Sequence, residues 1–377
     1  MKKVVLIIDS FKGCLTSREA EEAAKQGIQQ IFPECEICCL PISDGGEGLL
    51  DVLLSINKGR LINITAHGPL MELREAQYGL SRENKTAFIE MAKISGLPLV
   101  SPEERNPMLT TTFGTGELIQ DALNQGCRNF IIGIGGSATN DAGLGMLQAL
   151  GLRLLNSQGN VLDIASGETL SEIANIDTDP MHPALKESSF TVACDVQNPF
   201  FGPQGAAMVF APQKGATPQM IEQLDKGLQH IARLIEQKTG KDISNTPGAG
   251  AAGGMGGCML AFLHAKLKPG IQLLLETIDF NHVITNADLI ITGEGKADRQ
   301  TLMGKVPYGV LKEAKKQDIP TALIAGIVED KQLLASAGFK EVFSINPFGM
   351  SFEDAMQPDI ARNNIQQTVR RICQKYS

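Results

Sequence analysis

Short, largely apolar segments followed by helix-like segments occur near both ends of the chain. Val4–Asp9 and Ile37–Pro41 are two such segments near the start. Asp288–Thr292, Thr321–Ala325 and Glu341–Ile345 repeat the pattern near the end. Because short buried strands that alternate with helices pack as a parallel sheet with helices on both faces, this pattern predicts a doubly wound α/β domain. The domain is built from both chain ends.

The helices of this pattern have recognisable starts. Thr16 and Glu19 have the spacing of a capping box, which predicts a helix from there to about Ile31. A capping box satisfies backbone N–H groups that the first helical turn leaves without partners. Further helices are predicted over Gly46–Leu54, Pro307–Lys316 and Phe352–Cys373.

The middle of the chain has a different pattern. Leu61–His67, Arg74–Leu80 and Thr86–Met91 are strand-like and are joined by turn-forming residues, so we expect them to pair as antiparallel strands. Helices and strands then mix up to a glycine-rich run at 248–257. The middle is therefore predicted to form its own domain.

The simplest organisation is one mixed α/β domain inserted into another α/β domain. Residues 1–60 and 275–377 are predicted to form the terminal domain, and residues 61–274 the inserted domain. A cleft between two such domains is a usual place for a small-molecule site. We expect the active site in that cleft.

Charge and hydropathy exclude several partners. The 377 residues include 34 basic and 42 acidic residues, a net charge of −8, and no strongly basic segment. A nucleic-acid binder would need a segregated basic face, so no nucleic-acid partner is expected. No segment approaches the roughly 18 apolar residues of a membrane span, so no membrane partner is expected.

The start of the chain and its cysteines indicate a cytoplasmic protein. The apolar run after Lys3 stops at Asp9, which is too short for a signal peptide and suits a buried first strand. The eight cysteines are scattered, and Cys35, Cys38 and Cys39 lack a second pair that would complete a zinc site. We expect reduced, structural thiols.

Polar loops follow three predicted strands of the terminal domain. These loops are Asp9–Gly13, Ser43–Gly48 and Gly293–Asp298, and each places carboxylates beside glycine. In an open α/β sheet, ligands bind outside the carboxyl ends of the strands. The three loops therefore predict a ligand site at one edge of the sheet.

The inserted domain contains a second candidate loop, Gly133–Asp141, between a predicted strand and a helix. Its glycines would let backbone N–H groups approach an anion, and Ser137 and Thr139 supply hydroxyls. This composition is typical of a phosphate-binding loop. The segment Thr110–Glu117 is also rich in hydroxyls, and helix capping and ligand binding are both open there.

Other signatures are absent or weak. There is no Walker A motif, no protein-kinase signature and no paired histidine ligands. Gly248, Gly250 and Gly253 match GxGxxG, but no strand-like segment precedes them. Glycine loops, carboxylates and lysines suit phosphoryl transfer, which depends mainly on positioning and charge neutralisation.

Several motifs occur in order over nearly the whole chain. They are Asp9–Gly13, Asp44–Gly48, Gly133–Asp141, Cys194–Val196, Gln213–Ala216, Thr292–Gly295 with Asp298, Gln300-Thr301 and Gly304-Lys305. Together they resemble the bacterial glycerate kinase family. Cys14, Ser43 and Ala142 depart from the usual family residues, but none of these changes removes a charged group.

The resemblance implies an ATP-dependent kinase that uses Mg²⁺ and converts D-glycerate to 2-phosphoglycerate. It also implies a flavodoxin-like terminal domain and an inserted α/β domain. Three alternatives stay open: the 3-phosphate product, a small hydroxy-acid dehydrogenase, and a non-enzymatic solute-binding protein. Monomer and homodimer are both open.

Roles for individual residues are hypotheses within this resemblance. Asp195 is the candidate general base, with Asp44 as its competitor, and Lys12 and Asp298 complete the catalytic candidates. Asp44, Glu294 and Asp298 are the candidate magnesium ligands. The candidates for binding substrate or nucleotide are Asp9, Ser10, Gly45, Gly46, Gly135, Gly136, Ser137, Thr139, Asn140, Asp141, Lys214, Glu294 and Lys305.

Overall fold

The computed structural model describes residues 1–42 and 48–376. The chain divides into two compact units. The terminal unit comprises Met1–Asp44 and Ile271–Ser377, and the central unit comprises Gly45–Gly270. Among the described helices, none combines the length and apolar character that crossing a bilayer requires.

The elements alternate along the chain as follows. The strands are β1 (Lys3–Ile8), β2 (Glu36–Cys39), β3 (Arg60–His67), β4 (Leu73–Leu80), β5 (Thr86–Glu90), β6 (Asn129–Gly133), β7 (Arg153–Leu155), β8 (Asn175–Asp177), β9 (Ser189–Ala193), β10 (Lys266–Lys268), β11 (Leu289–Ala297), β12 (Thr321–Val328) and β13 (Glu341–Ser344). The α-helices are α1 (Ser17–Gln29), α2 (Leu49–Asn57), α3 (Ala92–Ser95), α4 (Phe113–Asn124), α5 (Leu144–Ala149), α6 (Ala206–Phe210), α7 (Pro218–Thr239), α8 (Met255–Phe262), α9 (Gly270–Thr277), α10 (Phe280–Val283), α11 (Val306–Lys315), α12 (Lys331–Ala337), α13 (Phe352–Ala355) and α14 (Pro358–Cys373).

The terminal unit is built on a five-stranded, fully parallel sheet in the order β13-β12-β11-β1-β2. Its two faces carry separate apolar cores. Ile324 on β12 packs into the core that contains α1 and α14, whereas its neighbour Leu323 packs into the core that contains α11 and α12. Helices therefore cover both faces, and the predicted doubly wound α/β class is confirmed.

The predicted capping box at the start of α1 is confirmed. Thr16 Oγ1 accepts a hydrogen bond from Glu19 N at 3.3 Å, and the Glu19 carboxylate accepts one from Thr16 N at 2.9 Å. Ser17, the first helical residue, donates its hydroxyl to Ile8 O at 2.6 Å. These contacts place α1 directly after the loop that leaves β1.

Two predictions at the end of the chain were wrong. Gly293–Gly295 was expected to begin a loop after the strand, but β11 continues through it to Ala297, because Glu294 and Lys296 pair in parallel with β12. The expected single closing helix is divided into α13 and α14. Pro358 occupies the first position of α14, where its missing N–H costs no helical hydrogen bond.

The central unit is built on a six-stranded mixed sheet in the order β10-β9-β6-β5-β4-β3. The predicted antiparallel pairing of β3 with β4 and of β4 with β5 is confirmed. From β5 onward the neighbours are parallel, so β6 and β9 end at the same edge. One extensive apolar core, which includes residues of α4, α5, α7 and α8, packs around this sheet.

Candidate active site

A cavity of about 850 Å³ lies at the carboxyl edge of the terminal unit's sheet. The chain passes from β1 to β2 in one direction and from β11 through β12 to β13 in the other. The helices after β1 and β11 pack on opposite faces, since α1 and α11 belong to different cores. The sheet therefore has its topological switch point between β1 and β11, where open α/β sheets bind ligands.

The polar lining of this cavity comes from the ends of β1 and β11. It includes five residues predicted from sequence: Asp9, Ser10, Lys12, Glu294 and Lys305. The end of β12 and the segment from β13 to the start of α13 supply a mainly apolar lining, which includes Ile327, Val328, Pro347, Phe348, Met350 and Phe352. The cavity thus has a charged part and an apolar part.

Glu294 holds the charged part together. Its Oε2 accepts a hydrogen bond from Lys305 Nζ at 2.9 Å, and its Oε1 accepts one from Thr301 Oγ1 at 2.6 Å. Burial raises the pKa of the Glu294 carboxyl, because these two partners offset only part of the lost hydration. The pair places a lysine ammonium at the carboxyl edge of β11.

Asp298 lies just beyond β11 and begins a short 3₁₀ turn. Its Oδ1 accepts a hydrogen bond from Gln300 N at 2.8 Å, and Lys296 Nζ lies 3.6 Å from its Oδ2. Asp298 does not line the cavity itself. Its contacts orient the turn that carries Thr301 toward Glu294.

Close packing of strand ends shapes this cavity. A Cβ atom on Gly326 would lie 2.7 Å from the carbonyl oxygen of Gly295, and both glycines line the cavity. A side chain at Gly326 would therefore push β11 and β12 apart. Glycine is needed here for a close approach of backbones.

A second cavity, of about 300 Å³, lies in the central unit at the carboxyl ends of β6 and β9. Five further residues predicted from sequence line it: Gly135, Gly136, Ser137, Asp195 and Lys214. The loop after β6 supplies the first three, and the loop after β9 supplies Asp195. The structure thus brings these motifs together across more than seventy residues of sequence.

Lys214 is almost fully buried and joins its helical turn to the loop after β6. Its Nζ donates hydrogen bonds to Ser137 Oγ at 2.8 Å and to Thr139 O at 2.6 Å. Burial lowers the pKa of Lys214 to about 7, and the negative charge of Asp141 offsets only part of that effect. Because Ser137 Oγ accepts from Lys214, its own O–H is oriented to donate elsewhere.

Backbone donors complete this cavity. Gly135 and Gly136 are exposed, and no acceptor within residues 1–42 and 48–376 takes up their N–H groups. Gly253 supports the loop from behind: its φ is +66°, and a Cβ there would lie 2.2 Å from Thr139 O. The exposed N–H groups suit an anionic ligand.

Thr139, Asn140 and Asp141 are fully buried behind the loop and do not line the cavity. Asp141 Oδ2 accepts hydrogen bonds from Thr112 N at 2.8 Å, from Thr112 Oγ1 at 2.7 Å and from Gly145 N at 3.2 Å. Its carboxylate therefore fixes the start of α5 against the segment before α4. The Thr112 side chain serves this contact and does not cap α4.

Asp195 lies two residues after the end of β9 and is exposed in the cavity. Its Oδ1 accepts a hydrogen bond from Gly270 N at 2.9 Å, which fixes the carboxylate near the end of β10. An exposed carboxylate in the same cavity as a buried lysine has the chemistry to accept a proton from a bound hydroxyl.

The remaining predictions from the sequence concern Asp44–Gly46, a metal ion and the GxGxxG match. Asp44, Gly45 and Gly46 lie outside the described residues. Within the part of the chain that is described, no group of three His, Cys, Asp or Glu side chains is arranged to hold a metal ion. The GxGxxG match at Gly248–Gly253 follows α7 and not a strand, so it lacks the context of a dinucleotide site.

The sequence analysis missed the loop after β13. Asn346–Phe352 lines the terminal unit's cavity although no motif singled it out. The signal was its position directly after the predicted strand Glu341–Ile345, the same rule that selected the loops after β1 and β11. Its side chains are mainly apolar, so a search for charged residues passed over it.

Comparison with proteins of known name identifies the family of this chain. A model of the glycerate kinase family matches residues 4–377. A glycerate kinase of Bacillus subtilis is 46% identical over 356 residues, which cover 94% of this chain and 93% of the relative. A glycerate 2-kinase of Escherichia coli K12 is 44% identical over 344 residues, which cover 91% of this chain and 90% of the relative.

The fold leads to the same family. A crystal structure of a Salmonella typhimurium LT2 protein assigned as glycerate kinase 2 matches with a TM-score of 0.88 and 43% identity. The match covers 100% of this chain and 98% of that protein. The resemblance predicted from the motifs is thereby confirmed, and the chain belongs to the glycerate kinase family, a family of phosphotransferases.

Proposed function

We propose that the protein transfers the γ-phosphoryl group of ATP to the 2-hydroxyl group of D-glycerate, giving 2-phosphoglycerate and ADP. The observation that carries this proposal is the central unit's cavity. At about 300 Å³ it suits a small acid, and Lys214, Ser137 and the N–H groups of Gly135 and Gly136 provide donors for a carboxylate or phosphate. The name of the Escherichia coli relative, a glycerate 2-kinase, favours the 2-phosphate product.

Asp195 is the proposed general base. In the transfer, the 2-hydroxyl oxygen forms a bond to the γ-phosphorus, and the bond from that phosphorus to the bridging oxygen breaks with its electron pair going to ADP. The hydroxyl proton passes to the Asp195 carboxylate, which lies in the same cavity as Lys214. A carboxylate is basic enough to take a proton that is released late in such a transfer.

Mg²⁺ is proposed to arrive with ATP, where it neutralises phosphate charge. Among the predicted ligands that the structure describes, Glu294 and Asp298 provide the carboxylate oxygens that Mg²⁺ prefers. Each already has a cationic neighbour, since Glu294 binds Lys305 and Asp298 lies near Lys296. Glu294 lines the terminal unit's cavity and Asp298 does not, so the protein would supply at most one or two oxygens, and phosphate and water would complete the coordination of the metal.

A cytoplasmic location is part of the proposal. All eight cysteines are free, and four of them are buried. Free thiols in such number are typical of a reducing compartment.

The proposal is tested by incubating the purified protein with MgATP and D-glycerate. ADP release is followed by a coupled assay, and the product is identified by proton-coupled phosphorus NMR. We expect ADP and 2-phosphoglycerate. Absence of ADP formation would reject the kinase activity, whereas ADP with 3-phosphoglycerate would reject only the position of transfer.

Asp195→Asn tests the assignment of the base. It keeps an oxygen that can accept from Gly270 N but removes the basic carboxylate. We expect kcat to fall by 10²-fold or more, the usual range for losing a general base. Near-normal kcat in the folded variant would show that another group takes the proton.

A further inference from the structure

The apolar part of the terminal unit's cavity has no function in the transfer described above. We propose that it binds the base of the nucleotide against Phe348 and Phe352, by apolar contact and not through hydrogen bonds from side chains. This inference rests on the proposed use of a nucleoside triphosphate. It assigns the base to residues that no sequence motif identified.

The size of the cavity favours a nucleotide over glycerate. Its volume of about 850 Å³ lies in the range of sites for large organic ligands, whereas the central unit's cavity has about 300 Å³. A three-carbon acid would leave most of the larger cavity filled with water. A nucleoside triphosphate fills it far better.

The order of the strands gives the nucleotide a direction. Lys12, in the loop after β1, and Lys305, directly before α11, line the cavity at the switch point of the sheet. Phosphates placed there would meet lysine ammonium groups and the backbone around Gly295. The base would then extend along the edge of the sheet, over the end of β12 and the segment after β13.

The end of β12 and the segment after β13 present exposed apolar groups. Phe348 is fully exposed, Phe352 is 72% exposed, and Ile327 is 47% exposed. Aromatic side chains stack on nucleotide bases, and this contact is tolerant of base identity because every base has a π-face. Binding of a base would cover apolar surface that otherwise faces water.

The polar side chains that lie among these apolar residues already have hydrogen-bond partners close by. Ser344 Oγ lies within hydrogen-bond distance of Gly326 O, at 3.1 Å, and of Asn346 O, at 3.2 Å, so its hydroxyl has an acceptor in its own surroundings. Asn346 Nδ2 donates to Gly326 O at 3.0 Å, and Ser351 Oγ donates to Asp354 Oδ2 at 2.7 Å. Side chains that are engaged within their own loops are poorly placed to distinguish adenine from guanine. We therefore expect GTP to replace ATP with a KM within about tenfold.

The test compares Phe348→Ala, Phe352→Ala and the double variant with the wild-type protein. Leu73→Ala is the control, because Leu73 is an apolar residue on β4 of the central unit and is exposed to nearly the same extent as Phe352. The measurements are the KM values for ATP, GTP and D-glycerate, and the dissociation constant of ADP by titration calorimetry. If the double variant does not fold, as judged by circular dichroism, Phe348→Ser serves instead.

We expect the double variant to raise the KM for ATP and the dissociation constant of ADP at least fivefold. The KM for glycerate should stay within twofold, and the control should resemble the wild type. Unchanged ATP and ADP binding would overturn the inference, as would a phenotype confined to the melting temperature or to the oligomeric state in sedimentation. A preference for ATP over GTP well beyond tenfold would overturn the apolar mode of binding.

Failure of this inference is distinguishable from failure of the proposed function. A wild-type protein that binds ADP but forms none from MgATP and glycerate would reject the proposed function and leave the base site intact. An active protein whose phenylalanine variants keep normal nucleotide binding would reject only the base site.

Discussion

Lys305 Nζ lies 2.9 Å from Glu294 Oε2, so a lysine that follows a glycine turn neutralises a carboxylate on the strand β11. The Glu294 side chain is almost fully buried, whereas 37% of the Lys305 side chain is exposed. The buried carboxylate therefore needs this lysine to stabilise its charge, whereas water also stabilises the charge of the partly exposed lysine. Thr301 provides its other hydrogen bond.

Lys305→Met should raise the pKa of Glu294 further, because it removes the cation that favours the charged carboxylate. We expect kcat/KM for ATP to fall at least tenfold and its acid limb to move to higher pH. The measurement is the pH profile of kcat/KM between pH 5 and 9. Stability should fall only by about 1–2 kcal/mol, because the partly exposed lysine is well hydrated.

Lys312→Met is the control for that substitution. Lys312 lies on α11, the helix that begins directly after Lys305. Its ammonium lies over the ring of Tyr308, and it does not line the cavity. It should leave the ATP profile unchanged. An unaltered profile in Lys305→Met would remove Lys305 from the site.

Lys214 should make glycerate binding depend on pH near neutrality. Its pKa of about 7 means that the ammonium is charged below pH 7 and neutral above it. A bound anion favours the charged form, so the KM for D-glycerate should rise as pH increases from about 7 toward 9. The prediction is checked by measuring the KM for D-glycerate across this pH range in the wild type and in Lys214→Met. The variant should have a higher KM with little pH dependence.

The lowered pKa of Lys214 affects stability in the direction opposite to its effect on glycerate binding. An unfolded lysine keeps its proton to about pH 10.5, so between about 7 and 10.5 the unfolded chain binds more protons at this position than the folded one. The contribution of Lys214 to the free energy of unfolding therefore rises with pH over that window. A KM for glycerate that is equally flat in wild type and variant would contradict the assignment.

The sequence predicted most strands of the two sheets well, because periodicity and turn residues are local signals. It was wrong about Gly293–Gly295, since Gly293 pairs with both β1 and β12, and continued pairing of Glu294 and Lys296 with β12 keeps this segment extended despite its glycines. A glycine pair alone does not show whether neighbouring strands continue beside it. That information is in the tertiary structure.

The motif Gly133–Asp141 shows a second limit. The motif was predicted from the sequence to be one ligand-binding loop. In the structure, Gly135–Ser137 line the cavity, whereas Thr139–Asp141 are buried behind the loop. The division arises because the last three residues pack beneath Gly253, and because Asp141 binds the segment before α4. Both partners are remote in sequence. Composition could not separate the ligand-facing residues from the supporting ones.

Asp141→Asn should destabilise the central unit. The asparagine NH₂ group would face N–H and O–H donors from Thr112, Gly143 and Gly145, which the carboxylate now accepts. We expect a loss of about 2–4 kcal/mol in the free energy of unfolding, since several buried, charge-assisted hydrogen bonds are affected. Urea unfolding measures it, with the exposed Asp179→Asn as control.

The same substitution should also act on Lys214. Asp141 is the negative charge that raises the pKa of Lys214, so its removal should move the pH dependence of the glycerate KM to lower pH. A stability loss without this movement would mean that Asp141 has only a structural role.

Glu21 should make the terminal unit less stable as pH rises. It lies on α1, is 1% exposed, and accepts a hydrogen bond from Ile8 N at 3.4 Å. Burial raises its pKa from 4.5 to about 8, so the folded chain holds this proton where the unfolded chain has lost it. Stability from this group is therefore complete below about pH 4.5 and is lost as pH rises through 8.

Glu21→Gln removes this dependence, because the amide cannot ionise. At about 1.4 kcal/mol per pKa unit, we expect the variant to exceed the wild type by roughly 2–4 kcal/mol at pH 8.5 and to match it closely at pH 5. Urea unfolding at the two pH values gives the comparison, and Glu22→Gln, on the exposed side of α1, should change little at either. An advantage of Glu21→Gln that is equal at both pH values would show that Glu21 does not ionise in this range.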